Sequence, residues 1–160
     1  DLLVHDVDLV VRAFGGQAPH SVGVQVGRFH PESATGAEDV VESTLQFQGG
    51  GIASLSASRI GQRKIRSMVI QELGRMIEVD LLRRGVTVYR HTTIEGEAAH
   101  GGYRQMTEME VPEILGVEPL VAQLAHFVDL IEGRVDADTE RESILPAHEV
   151  VDTVLAAGGR

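Results

Sequence analysis

The spacing of apolar positions changes twice along the chain. From Leu2 to Phe14 the apolar residues are Leu2, Leu3, Val4, Val7, Leu9, Val10, Val11 and Phe14, and Gly15-Gly16 follows. This predicts a helix of about three to four turns with a glycine stop. It is apolar around most of its circumference and is expected to be largely buried. Asp1, His5, Asp8 and Arg12 interrupt it at spacings of four, three and four, which places them on one polar stripe. From Ser21 the period falls to two. Ser21 to Phe29 alternates through Val22, Val24 and Val26, and Asp39 to Phe47 alternates through Val41, Leu45 and Phe47. Gly49-Gly50-Gly51 is a turn, and Ile52 to Ile60 completes a hairpin. Lys64 to Glu72, Arg75 to Asp80 and Val86 to Thr93 read as further strands, separated by Leu73-Gly74 and Arg84-Gly85. Glu95 to Tyr103 reads as a glycine-bearing loop, and Gln105 to Val111 as a last short strand. Helical spacing returns at Glu118-Pro119 and runs to Glu132, with Gly133 as its stop. Leu120, Leu124, Phe127, Val128 and Ile131 form its apolar face. A polar link, Arg134 to Glu142, leads to a final helix from about Leu145 to Ala157.

Helix, then consecutive strands joined by short turns, then two helices: this order predicts an α+β domain. The expected architecture is a large open, mainly antiparallel sheet with helices packed on one face, in a single domain over 1–160. The opposite face carries small or polar residues such as Thr44, Gln46, Ser54, Ser56 and Ser58. Such a face either meets water or packs on the same sheet of a second copy, and the sequence leaves both open.

Charge narrows the partners. The 160 residues carry 14 basic against 24 acidic side chains, a net of −10, and Lys64 is the one lysine. That balance disfavours a nucleic-acid backbone and an anionic membrane surface. No apolar run approaches the ~20 residues of a membrane span. No signal-peptide pattern is visible, and cysteine is absent, which fits a cytoplasmic, reducing compartment. The sequence begins at Asp1, without an initiator methionine and already helical in pattern, as expected of a piece of a longer chain.

Asp1 and His5 are the leading candidates for chemistry. Four residues apart on a helix, a carboxylate can orient an imidazole and support its conjugate acid, making the imidazole a proton acceptor near neutral pH. The plainer alternative makes Asp1 a helix N-cap and His5 a surface residue. Asp8 and Arg12 read as an ordinary helix salt bridge. Asp1, His5 and Asp8 are acceptable metal-ligand types, but no second histidine follows at metal spacing, so no metal is expected. His126, beside Phe127, reads as a core or boundary histidine. Gly49-Gly50-Gly51 lacks the following helix and Lys-Ser/Thr of a phosphate loop. Ser56 and Ser58 lie in a strand and are assigned no nucleophilic role.

The opening Asp1-Leu-Leu-Val-His5-Asp6-Val-Asp8-Leu-Val with Gly15-Gly16 resembles the start of the C-terminal domain of the Gfo/Idh/MocA oxidoreductases. Phe47-Gln48-Gly49-Gly50 with Ile52 to Arg59 resembles that family's central hairpin, and Gln71 to Asp80 its strand–turn–strand. Glu118-Pro119-Leu120 with His126-Phe127 resembles its late helix. The resemblance implies a substrate-binding and oligomerisation domain, with NAD or NADP bound mainly by an N-terminal Rossmann domain absent from this chain. It implies hydride transfer at a hydroxyl-bearing carbon of a sugar or polyol, and a homo-oligomer formed through the sheet. The family's Asp-x-x-x-His motif falls on Asp1 and His5, implying His5 as proton acceptor and Asp1 as a substrate-positioning group. The chain has no Gly-x-Gly-x-x-Gly turn opening a helix and no Glu-Lys-Pro segment, so by itself it is expected to be inactive. A non-catalytic dimerisation domain is the alternative.

Overall fold

The computed structural model describes residues 3–32, 37–95, 103–114 and 116–158. Among these described residues, three helices and seven strands follow in the predicted order: α1 (Leu3–Ala13), β1 (Ser21–Gly27), β2 (Val40–Gln46), β3 (Ile52–Ser58), β4 (Ser67–Gln71), β5 (Met76–Asp80), β6 (Gly85–Glu95), β7 (Tyr103–Glu110), α2 (Pro119–Ile131) and α3 (Ala137–Gly158). The class is α+β, and every strand pairing is antiparallel. The strands divide between two sheets, β1-β2-β3 and β4-β5-β6-β7. The segment between them explains the division. Residues 59–66 hold Arg59, Arg63, Lys64 and Arg66, and strand structure resumes only at Ser67. A run of like charges without apolar alternation has no face to bury. The chain accordingly forms two compact units, Asp1–Gln62 with Gln123–Arg160, and Arg63–Ala122.

The first unit holds the core. Register places Val22, Leu45 and Ala53 in one cross-strand row, with Val24, Ser43 and Leu55 in another and Val26, Val41 and Ala57 in a third, all on one face of the sheet. Leu45, Phe47 and Leu55 from this sheet are buried against Leu3, Val7 and Val11 of α1 and Ala147, Val150 and Val154 of α3. The opposite face presents Gly23, Thr44 and Ser54 in one row and Gln25, Glu42 and Ser56 in the next. It is polar and exposed at Thr44, Ser54, Gln25, Glu42 and Ser56. Helix α1 ends as its glycines predict. Gly15 and Gly16 take φ of 72° and 78°, and the Gly16 N–H donates to the Val11 carbonyl at 2.9 Å, closing the last turn. Helix α3 starts at Ala137, eight residues before the expected Leu145. Asp136 is the cause: its carboxylate accepts from the Thr139 N–H at 2.9 Å and from the Thr139 hydroxyl at 2.7 Å.

The second unit is a four-stranded meander. Its β5–β6 turn is built by Asp80, whose Oδ1 accepts from the backbone N–H groups of Leu82 and Arg83, both at 2.9 Å. Arg84 then takes a left-handed φ of 56°. Met68, Val79 and Val86 share one face with Ile70, Ile77 and Val88. These six are only half-buried, and no described residue of this unit is fully buried.

Candidate active-site region on helix α1

His5 lies in the first turn of α1 and is exposed. The helix is held to the core by Leu3, Val7 and Val11 on its other side, so packing of those residues fixes where the imidazole emerges. Asp1, its proposed companion, lies outside the described residues. Asp8 follows on the same stripe and accepts from Arg12 Nε at 2.9 Å, the predicted i,i+4 pair. That hydrogen bond, with the carboxylate's charge, holds the Arg12 guanidinium above its usual pKa. Glu140 of α3 adds to the same effect through its charge. One oxygen of Asp8, Oδ1, is buried and has no hydrogen-bond partner among the described residues.

Glu140 also receives His126 Nε2 of α2, at 3.1 Å. With 45% of its side chain exposed, His126 is thus a boundary histidine rather than a core one, its ring facing Glu140. The scattered histidines remain apart. His30 Nδ1 accepts from the Glu32 N–H at 3.2 Å, His91 Nδ1 lies 3.1 Å from the Thr107 hydroxyl, and His148 Nδ1 lies 3.0 Å from the Ile144 carbonyl. His100 lies outside the described residues. Among the described residues no three His, Asp or Glu side chains gather as a metal site, and no helix is long and apolar enough to cross a membrane.

A hollow lies beside the β2–β3 hairpin, lined by His20, Gln46, Phe47 and residues 48–52. It is remote from His5. Phe14, just past the C-terminal end of α1, stacks on Phe47 with ring centroids 4.0 Å apart and planes 11° apart. At ~1.5 Å per residue His5 sits about 14 Å back along that helix axis. Gly51 is required where Phe14 arrives, because a Cβ there would run into its ring. Gly49 and Gly50 take φ of 86° and 89°, which fits a hairpin turn rather than a phosphate loop.

Sequence patterning missed Asp39. Its side chain is fully buried, accepts the N–H groups of Phe29 and His30 at 2.6 and 2.7 Å, and accepts Arg59 Nε at 2.9 Å. It joins the end of β1, the start of β2 and the exit of β3. The signal was an acidic residue at the first position of an alternating run, which periodicity alone reads as surface.

Among the described residues, α2 opens at Pro119 and α3 behind Asp136, neither with the glycine-rich turn that cradles a dinucleotide.

Residues 1–77 match the GFO/IDH/MocA C-terminal domain. No curated protein is similar enough to match. Among solved structures, the UDP-N-acetylglucosamine 3-dehydrogenase of Acidithiobacillus ferrooxidans superposes with a TM-score of 0.70 at 22% identity, over 96% of this chain and 47% of that one. Levoglucosan dehydrogenase in complex with NADH and levoglucosan gives a TM-score of 0.63 at 18% identity, over 98% of this chain and 47% of that one. The chain thus spans about half the length of these structures, and at such identities the likeness is one of fold. Residues 1–77 are thus similar to the GFO/IDH/MocA C-terminal domain, and nearly the whole chain shares its fold with these dehydrogenases.

Proposed function

We propose that this chain is the substrate-holding half of a nicotinamide-dependent oxidoreductase acting on a hydroxyl group of a sugar, polyol or related compound. The carrying observation is His5: the Asp-x-x-x-His pattern lies inside the matched residues, and its imidazole emerges exposed from the first turn of a helix anchored by buried Leu3, Val7 and Val11. Oxidising an alcohol carbon requires its oxygen to lose a proton. An imidazole near neutral pH takes that proton as a general base. Asp1 then positions the substrate or the ring. NAD or NADP would accept the hydride and would be bound mainly by an N-terminal Rossmann domain. The dehydrogenase neighbours, one of them solved with NADH and a sugar derivative, support this reading. The chain alone is then inactive. The polar outer face of β1-β2-β3 is the proposed surface for a homo-oligomer, and the reading places the protein in the cytoplasm.

The test is His5→Ala in the full-length protein. Turnover should fall about 10²–10⁴-fold, the usual weight of a general base. Nucleotide binding should persist. Unchanged turnover removes His5 from the role. A full-length protein that binds no nicotinamide nucleotide instead favours a non-catalytic dimerisation domain.

A further inference from the structure

Acidic side chains outnumber basic ones by 24 to 14, so a cation in this chain has no shortage of partners. The arginines use them. Apart from Arg63 and Arg66, every arginine whose side chain is described makes an ion pair with an Asp or Glu of its own compact unit. The exceptions stand together with Lys64 at the start of the second unit. Arg63, Lys64 and Arg66 are all exposed, and none has an ion pair or side-chain hydrogen bond among the described residues. The closest acid across the β4–β5 ladder is already engaged: Asp80, opposite Ser67, accepts the Leu82 and Arg83 N–H groups and pairs with the Arg83 side chain. The Leu81 N–H donates to the Arg66 carbonyl at 3.0 Å, which anchors the run at the start of β4. Backbone from Arg63 to Arg66 spans at most ~11 Å, comparable with the ~8 Å screening length of physiological salt, so the three charges repel one another. Like charges that their own unit does not neutralise attract a counter-charge from outside it.

We propose that Arg63, Lys64 and Arg66 form a binding site for the phosphate group of a small molecule. The number of cations selects phosphate. Three exceed the single charge of a carboxylate, and they suit a phosphate ester, at about −1.5 to −2, or a diphosphate. The residue types agree. Two guanidinium forks meet phosphate oxygens in pairs, and the lysine adds a compact point charge. Net charge selects size. At −10 overall, the chain repels a long polyanion such as a nucleic-acid backbone, whereas a small anion feels chiefly the local cluster. A phosphorylated sugar and a nucleoside diphosphate both present this chemistry, and the test separates them. The site uses residues of the second unit alone and stands apart from the oxidoreductase reading.

Lys64 is the one lysine of the 160 residues and so reports on the site. The full-length protein is treated with pyridoxal phosphate or with pyridoxal, whose aldehyde forms an imine with a lysine amine. Borohydride fixes the imine, and mass spectrometry of the digest reads the fraction of Lys64 modified. In the double variant Arg63→Gln, Arg66→Gln, labelling by pyridoxal phosphate should need at least about ten-fold more reagent, the weight of one charge-assisted hydrogen bond. Labelling by pyridoxal should not change. In the unchanged protein, glucose-6-phosphate and uridine diphosphate should each protect Lys64, and the stronger protector names the source of the phosphate. Protection no greater than that given by sodium chloride at equal ionic strength would overturn the proposal and leave three solvated charges. Protection matched by the dicarboxylate glutarate would overturn the choice of phosphate. A Lys64 inert to both reagents without any ligand would mean that acidic groups of the protein itself cover it, and the proposal falls. Should the double variant not fold, competition in the unchanged protein decides. None of these readouts requires turnover or nicotinamide binding, so failure of the oxidoreductase reading leaves them standing.

Discussion

Asp39 and Asp136 are both backbone-binding carboxylates, yet they differ in what their loss should do. Asp39 is buried and satisfies two N–H groups that no other described residue serves. Asp39→Ala should therefore cost at least about 2 kcal/mol, because hydrogen bonds to a charged acceptor are lost and their donors stay behind. Arg59→Ala should cost under about 1 kcal/mol, since its side chain is 42% exposed and water screens the pair. Urea unfolding of both variants checks the order; equal losses would mean that the ion pair, and not the backbone contacts, dominates. Asp136 is exposed and acts as a cap. Its hydrogen bonds from Thr139 hold its carboxyl below the ordinary value of 3.8. A lowered folded pKa means that the cap's contribution is complete above the unfolded pKa and is lost as pH falls through the folded one. The Tm of Asp136→Asn should therefore trail that of the unchanged chain at pH 6, and the gap should close below about pH 3.8. A gap that is constant across this range would remove the carboxylate from the cap.

At the scale of elements, what was legible was what periodicity can encode. All seven described strands overlap the runs that alternation and turn residues mark, though β4 starts only at Ser67 and β7 already at Tyr103, and α1 ends at the glycines that favour a left-handed stop. What was hidden depends on a neighbour. The early start of α3 turns on one side-chain cap, Asp136 with Thr139, inside a stretch whose charges read as a link. The exposure of α2 is hidden for the same reason, since apolar spacing alone cannot say whether an apolar face is filled from within the chain. The meeting of α1 with the β2–β3 hairpin has a similar origin, since Gly51 looks like one more turn glycine until Phe14 is seen against it. Gly51→Ala should push the Phe14 ring off Phe47 and cost about 1–3 kcal/mol, the usual penalty of overpacking. Gly74→Ala is the control, because a Cβ there meets open space. A Gly51→Ala variant as stable as the control would show that the aromatic stack moves freely. The candidate site was only partly legible. The helix position and exposure of His5 follow from the pattern, whereas the contacts of Glu140 with Arg12 and His126 needed three helices in place.

For the whole molecule, the two units differ in how they resist opening. Every fully buried residue among those described belongs to the first unit, where Leu45, Phe47 and Val7 have at most 1% exposure. The second unit holds its strands by ladder hydrogen bonds and by pairs such as Arg90–Glu110, at 2.7 Å and exposed on both sides, which contribute little. Local opening costs least where few apolar contacts are broken. Backbone amides of β5 in the 160-residue chain should therefore exchange with solvent at least about ten-fold faster than those of β2, a difference of about 1.4 kcal/mol in opening free energy. The comparison is sensitive to what covers β4–β7. A second copy on the Met68, Ile70, Ile77, Val79, Val86 and Val88 face would protect β5 more at high protein concentration than at low. Equal protection of β2 and β5 at every concentration would contradict the division in stability. A concentration-dependent gain confined to β4–β7 would instead move the self-association surface from the polar β1-β2-β3 face to this apolar one.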